Sequence, residues 1–129
     1  MRHIFVNLPV KDLEASMGFF SELGFEFNPQ FSDEQAACMI VDQNINVMLL
    51  VNNRFKDFIN GDIADATSAT EVLTCLSADS RDQIDELVAK AVAAGGKPWK
   101  PTFEHGPMYG GSFQDLDGHV WELMHMPQE

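Results

Sequence analysis

Few side chains in this sequence combine a reactive group with a position that can use it. Glu122 lies between Trp121 and Leu123 in a strand candidate, Val120 to Met126, where alternation turns it the same way as Val120 and Met124. A carboxylate among such neighbours is partly desolvated. That suits a general base acting on a carbon acid, or an anchor for a cationic ligand, although a carboxylate satisfied by hydrogen bonds or facing water fits the same pattern. Asn7 shares a strand face with Phe5 and His3, and its amide suits orienting a ligand oxygen or completing a strand end. The run Phe103 to Gly111 joins an imidazole, His105, and a phenol, Tyr109, to small and rigid residues just before a strand at Gly111 to Gln114. It has the composition of a mobile lid and equally that of an ordinary Gly-Pro connection. Phe113, in the strand that follows, is expected to contact the same ligand, while most of the ten Phe residues belong to the core. His125 points away from Glu122 by parity, and His119 belongs to the Asp117-Gly118 turn.

Other chemistries find no support. Cys38 and Cys75 are isolated thiols in apolar segments, outside any C-x-x-C spacing, and are expected to be buried and inert. The sequence contains no nucleophile–base pair, phosphate loop or nucleotide-binding glycine pattern. With 20 acidic and 8 basic residues the net charge is −12, which repels nucleic acid and anionic membrane surfaces and leaves a neutral or cationic small molecule as the expected partner. Both halves share the charge, so it is no appended tail. The apolar runs are too short to span a bilayer, and the N-terminus reaches Asn7 too soon for a signal peptide, so a cytoplasmic protein is expected.

The elements that must position these residues follow from the patterning. Ile4 to Leu8 reads as a strand closed by Pro9, and Asp12 caps a helix whose apolar face is Leu13, Met17, Phe20 and Leu23, stopped at Gly24. Strands follow at Phe25 to Phe27, Gln35 to Val41 and Ile45 to Val51. Phe55, Phe58 and Ile59 anchor a single helical turn within a linker at 54–70. A second set then runs in the same order: Val72 to Leu76, a helix opened by Ser80 and Gln83 and closed by Gly95-Gly96, and strands at Lys97 to Trp99, Gly111 to Gln114 and Val120 to Met126. A shift of 68 places Phe5 on Leu73 and Asp12 on Ser80. After the helix a shift of 73 places Asp42 on Asp115 and Leu49 on Glu122. The chain therefore reads as an α+β domain of tandem β-α-β-β-β modules, 1–53 and 71–129.

Val10-Lys11-Asp12-Leu13-Glu14-Ala15-Ser16 leading into Phe19-Phe20 and Leu23-Gly24-Phe25, with Ala94-Gly95-Gly96 and the ending Asp115-Leu116-Asp117-Gly118-His119-Val120-Trp121-Glu122-Leu123, resembles the vicinal oxygen chelate superfamily. That superfamily includes glyoxalase I, bleomycin-resistance proteins and extradiol dioxygenases, and the likeness is greatest to lactoylglutathione lyase-like proteins. The resemblance implies curved sheets forming a cup around a substrate, toward which Glu122 would face, and a homodimer. It also implies four metal ligands on the first and last strands of the modules. The repeat places those positions at Phe5, Leu49, Leu73 and Glu122, of which only Glu122 can bind a metal, so no metal or other cofactor is expected. Two functions follow. One is a small-molecule-binding protein that has lost the usual metal site; the other is a glyoxalase-type lyase or isomerase using an altered site or Glu122 as general base.

Overall fold

The computed structural model describes residues 1–127, which fall in two compact units divided between Ala64 and Asp65. In the first, β1 (Ile4–Val10), α1 (Leu13–Glu22), β2 (Glu26–Asn28), β3 (Ala36–Asp42), β4 (Ile45–Val51) and α2 (Asn52–Lys56) follow one another. The sheet order is β1-β4-β3-β2, with β1 parallel to β4 and the other pairs antiparallel. In the second, β5 (Leu73–Ser77), α3 (Arg81–Ala93), β6 (Lys97–Pro98), β7 (Phe103–His105), β8 (Met108–Gln114) and β9 (Val120–His125) form a sheet of order β5-β9-β8-β6, with β7 also paired to β8. The architecture is α+β with two curved sheets and few helices. No helix among the described residues is long and apolar enough to cross a membrane.

The helices begin where their caps put them. Asp12 is extended and its carboxylate accepts from the Ala15 amide at 3.1 Å, so a first-turn donor is satisfied without water. Ser80 does the same for Gln83 at 3.0 Å, while the Gln83 side chain reaches back to the Asp79 amide at 2.7 Å. Gly24 at φ +99° and Gly95 at φ +110° end the two helices in a conformation that costs other residues a Cβ clash. α1 buries Leu13, Ser16, Phe19 and Phe20. The expected Phe55 turn starts earlier, as α2, and continues through i to i+3 bonds as far as Ile59.

In the second unit, α3 lies so close to β8 that a Cβ on Gly111 would stand 2.7 Å from Ile84 Cγ2 and 3.3 Å from Val88 Cγ2. The face of Gly111, Phe113, Trp121 and Leu123 therefore packs on the helix and forms the core; the opposite face carries Cys75, Ser112 and Glu122.

Three sequence expectations change. Phe103 to Gly111 is a β-hairpin, in which Gly106 at φ +62° followed by Pro107 provides the residue pair of a type II′ turn between His105 and Met108. Cys75 is exposed, because β5 is the edge strand and the thiol lies on the face away from α3, whereas Cys38 is buried as expected. The two strand ladders also superpose at a shift of 74. Cys38 and Met48 pair as Ser112 and Glu122 do, and Asn7 pairs with Met48 as Cys75 pairs with Glu122. The physical cause is an irregularity between Ile40 and Asp42: Val41 is bulged out there, so the first unit turns tightly through Gln43 and Asn44 while the second uses the five residues Asp115 to His119. Matching acid to acid across these unlike turns slips the register by one, and the counterpart of Glu122 is Met48.

Candidate functional site

On the face of the second sheet away from α3, the registers set side chains in rows across β5, β9 and β8: Leu73, Val120 and Gln114; Cys75, Glu122 and Ser112; Ser77, Met124 and Gly110. Glu122 is half-buried at the centre of the middle row. Ser112 is buried beside it, and its hydroxyl accepts from the Lys100 amide at 3.1 Å. That bond closes the gap where Pro98 and Pro101 keep β6 and β7 from forming one continuous strand along β8. On the other side of Glu122, partial burial and then the Glu122 charge push the Cys75 thiol up, so it is protonated at neutral pH and is a poor nucleophile.

A cleft of about 670 Å³ opens at the C-terminal end of these strands, lined by Cys75, Ser77, Ala78, Asp79, Met124, His125 and Met126. His125 has the opposite parity to Glu122 and reaches the cleft at the strand end. Its Nδ1 stands 3.0 Å from the Ala78 carbonyl oxygen, which can only accept. Nδ1 therefore donates, and in the neutral ring Nε2 is left as an acceptor. The lining combines acceptors and a carboxylate with two thioethers, a surface suited to a guest that is part cation and part hydrocarbon.

Within the second unit the expected site residues do not share one face. Asn7 lies in the first unit, exposed in the row with Met48 and Cys38, and its amide donates to the Phe5 carbonyl at 3.2 Å. His105 is exposed at the end of β7. Tyr109 turns toward α3, where its hydroxyl donates to Asp85 at 2.5 Å, the main cause of its raised pKa. The Arg81 guanidinium lies 5.1 Å over the Tyr109 ring and pairs with Glu104. Phe113 is 3% exposed and pairs with Trp121 in the core, on the opposite side of the sheet from Glu122. Sequence reasoning missed Ser77 and Asp79, and gave Cys75 and His125 no role at a site. Period-two alternation from Cys75 to Ser77 and from Glu122 to Met126 carries the signal for the shared face; the parallel pairing that joins the two runs is not local information. Among the described residues, no group of three or more His, Cys, Asp or Glu could hold a metal ion.

The family model described as bleomycin resistance protein-like N-terminal matches residues 2–41. Among solved structures, a hypothetical protein from S. aureus, SA1046, is 30% identical, with 97% of this chain and 94% of that chain covered and a TM-score of 0.82. A glyoxalase-related enzyme from Fulvimarina pelagi is 21% identical over 98% of this chain and 90% of its own, at TM-score 0.80. The fosfomycin resistance protein FosX from Listeria monocytogenes is 17% identical over 98% and 93%, at 0.69. No curated protein matches the chain.

Proposed function

The chain belongs to the glyoxalase/bleomycin-resistance family of the vicinal oxygen chelate superfamily, and from that membership we propose that it binds a small, cationic organic molecule, with Glu122 as the anchoring carboxylate. The observation that carries this reading is the row of Cys75, Glu122 and Ser112: one half-buried carboxylate, flanked by a protonated thiol and a committed hydroxyl, on the sheet face away from α3. Asp79 adds a second carboxylate in the adjoining cleft, and the charge of −12 favours a cation at long range.

The same row supports a function without the divalent-metal site of the metal-dependent members. Of the positions corresponding to their ligands, Phe5, Met48, Leu73 and Glu122, only Glu122 carries a donor that a hard divalent ion takes. The residues present do not fit such an ion, and the chemistry left to the site is that of a lone carboxylate.

Calorimetric titration with a cationic glycopeptide is the test. Saturable binding is expected, weakened about tenfold or more in Glu122→Gln, since a charge-assisted bond contributes about 1.5–3 kcal/mol. Raising the salt from 0.05 to 0.5 M should weaken it further. Absence of binding, or equal binding by the variant, would sink the proposal. A second reading, a glyoxalase-type lyase using Glu122 as general base, draws on the same carboxylate. Turnover of the methylglyoxal–glutathione adduct that vanishes in Glu122→Gln would replace the first reading with the second.

We also infer a homodimer formed along exposed strand edges. Ile4 and Phe5 on β1, and Val72 and Leu73 at β5, are all about half exposed, and both strands are sheet edges. Sedimentation equilibrium should return twice the 14.4 kDa chain mass; a monomer at micromolar concentration would refute it.

A further inference from the structure

Of the seven asparagines in the chain, Asn60 alone precedes a glycine. The pair Asn60-Gly61 follows the last turn after α2 and lies shortly before the division between the two units. Both residues are exposed, and neither the Asn60 side chain nor the Gly61 amide makes a hydrogen bond among the described residues. Gly61 has φ +86°, and nothing lies within 4 Å of its Cβ position. The Gly61 nitrogen is therefore open to approach, and neither packing nor a hydrogen bond fixes the backbone around it. An asparagine Cγ and the next backbone nitrogen close a five-membered ring when they meet, and a glycine offers no side chain to keep them apart.

Asp117-Gly118 is the corresponding pair with a carboxylic acid, and the fold holds it differently. Gly118 is buried, its amide donates to the Asp115 carbonyl at 3.2 Å, and its Cβ position stands 2.9 Å from the Thr67 amide nitrogen. The Asp117 amide donates to the Asp115 carboxylate at 3.0 Å. Ring closure there requires the turn to open first. The chain thus carries one exposed and one locked version of the same reactive pair.

We propose that Asn60 is a site of spontaneous backbone modification, passing through a succinimide to aspartate and isoaspartate. The Gly61 nitrogen, once deprotonated, attacks Asn60 Cγ: the new N–C bond forms, the Cγ–Nδ2 bond breaks, and Nδ2 leaves as ammonia, its third hydrogen replacing the proton lost from Gly61. Water then opens the ring. Addition at Cγ gives aspartate, and addition at the α-carbonyl gives isoaspartate, in which the chain runs on through the former side chain. Either product adds one negative charge to a chain of net charge −12, and isoaspartate adds a methylene to the backbone where the first unit leads into the second. The site shares no residue with the ligand proposal and stands whether or not that reading holds.

The test ages the full chain in mildly alkaline buffer, folded and in concentrated urea. Peptide mapping by mass spectrometry reads the change from amide to acid at Asn60, and protein isoaspartyl methyltransferase labels isoaspartate at both pairs. Asn60 should convert more than about tenfold faster than any other asparagine, at a rate within about threefold of that in urea. The fold should slow Asp117 more than about tenfold relative to urea. Gly61→Ala should slow conversion about tenfold, because the added methyl crowds the attacking nitrogen, and Asn60→Gln should remove it, because the ring would then have six members. Circular dichroism establishes that each variant is folded. An Asn60 rate matched by the other asparagines, a rate unchanged in Gly61→Ala, or equal protection of the two pairs by the fold would each overturn the proposal.

Discussion

Replacing Gly118 by alanine is expected to lower the free energy of unfolding by about 3–5 kcal/mol, as measured by urea denaturation. Two costs add at this position. Gly118 has φ +89°, a region where a Cβ collides with its own backbone, at about 1–2 kcal/mol. The new Cβ would also stand 2.9 Å from the Thr67 amide nitrogen and 3.0 Å from the carbonyl carbon and oxygen of Ala66. Those are backbone atoms, so no side chain can swing away. The Ala66-Thr67 segment is itself fixed, since Asp65 accepts from both the Thr67 amide, at 3.0 Å, and the Thr67 hydroxyl, at 2.6 Å. Gly24 separates the two costs: its φ is +99° and nothing lies within 4 Å of its Cβ position, so Gly24→Ala should cost only the backbone part, about 1 kcal/mol. Equal losses in the two variants would show that the Ala66-Thr67 contact contributes nothing.

Asp115→Ala is expected to cost about 3 kcal/mol. Asp115 is 6% exposed, and its carboxylate accepts from the Asp117 and His119 amides at 3.0 Å each and from the Trp121 indole at 2.9 Å. Removing it leaves the indole N–H, in a residue 1% exposed, buried without this acceptor, at about 1–3 kcal/mol, and frees the turn that carries the chain into β9. Asp115→Asn should cost less, because its oxygen still serves the two amides while its NH₂ meets the indole donor to donor.

The pH dependence has a definite sign. Burial pushes the Asp115 carboxyl up, against the opposing pull of the His119 charge, the Trp121 indole and the two amides. In the window between the ordinary carboxylate range and the raised value, the folded state holds more protons than the unfolded state, so stability falls as pH rises through it. The stability difference between the natural chain and Asp115→Asn should therefore shrink as pH rises from about 3.5 toward neutrality. A difference that grows with pH would contradict the raised carboxyl.

Much of the fold is legible in the residues, because capping and alternation are local. Asp12 and Ser80 announce their helices, and Ile45 to Val51 is a strand over its whole expected length. What escapes is set by partners distant in sequence. The β7–β8 hairpin hides behind Gly106-Pro107, which reads as a flexible connection until Phe103 to His105 finds β8 as its partner. The bulge at Val41 cannot be seen in one strand alone, and it moves the counterpart of Glu122 from Leu49 to Met48. For the candidate site, alternation identifies the Glu122 face. It cannot say that β5 pairs with β9 in parallel, which is what brings Cys75, Ser77 and Asp79 to Met124 and His125. Phe113 and Tyr109 belong to the opposite face for the same reason: one residue of parity decides between core and open surface.

The interrupted strand along β8 also bears on self-assembly. A full-length edge strand is a template onto which another chain can add, the first step toward fibrils. Here β8 is covered by two short pieces separated by Trp99-Lys100-Pro101-Thr102, and the first sheet likewise ends in the three-residue β2. Neither margin offers a long row of unpaired amides and carbonyls. Strand addition is thereby confined to β1 and β5, so masking those two edges is the direct route to suppressing aggregation at high concentration.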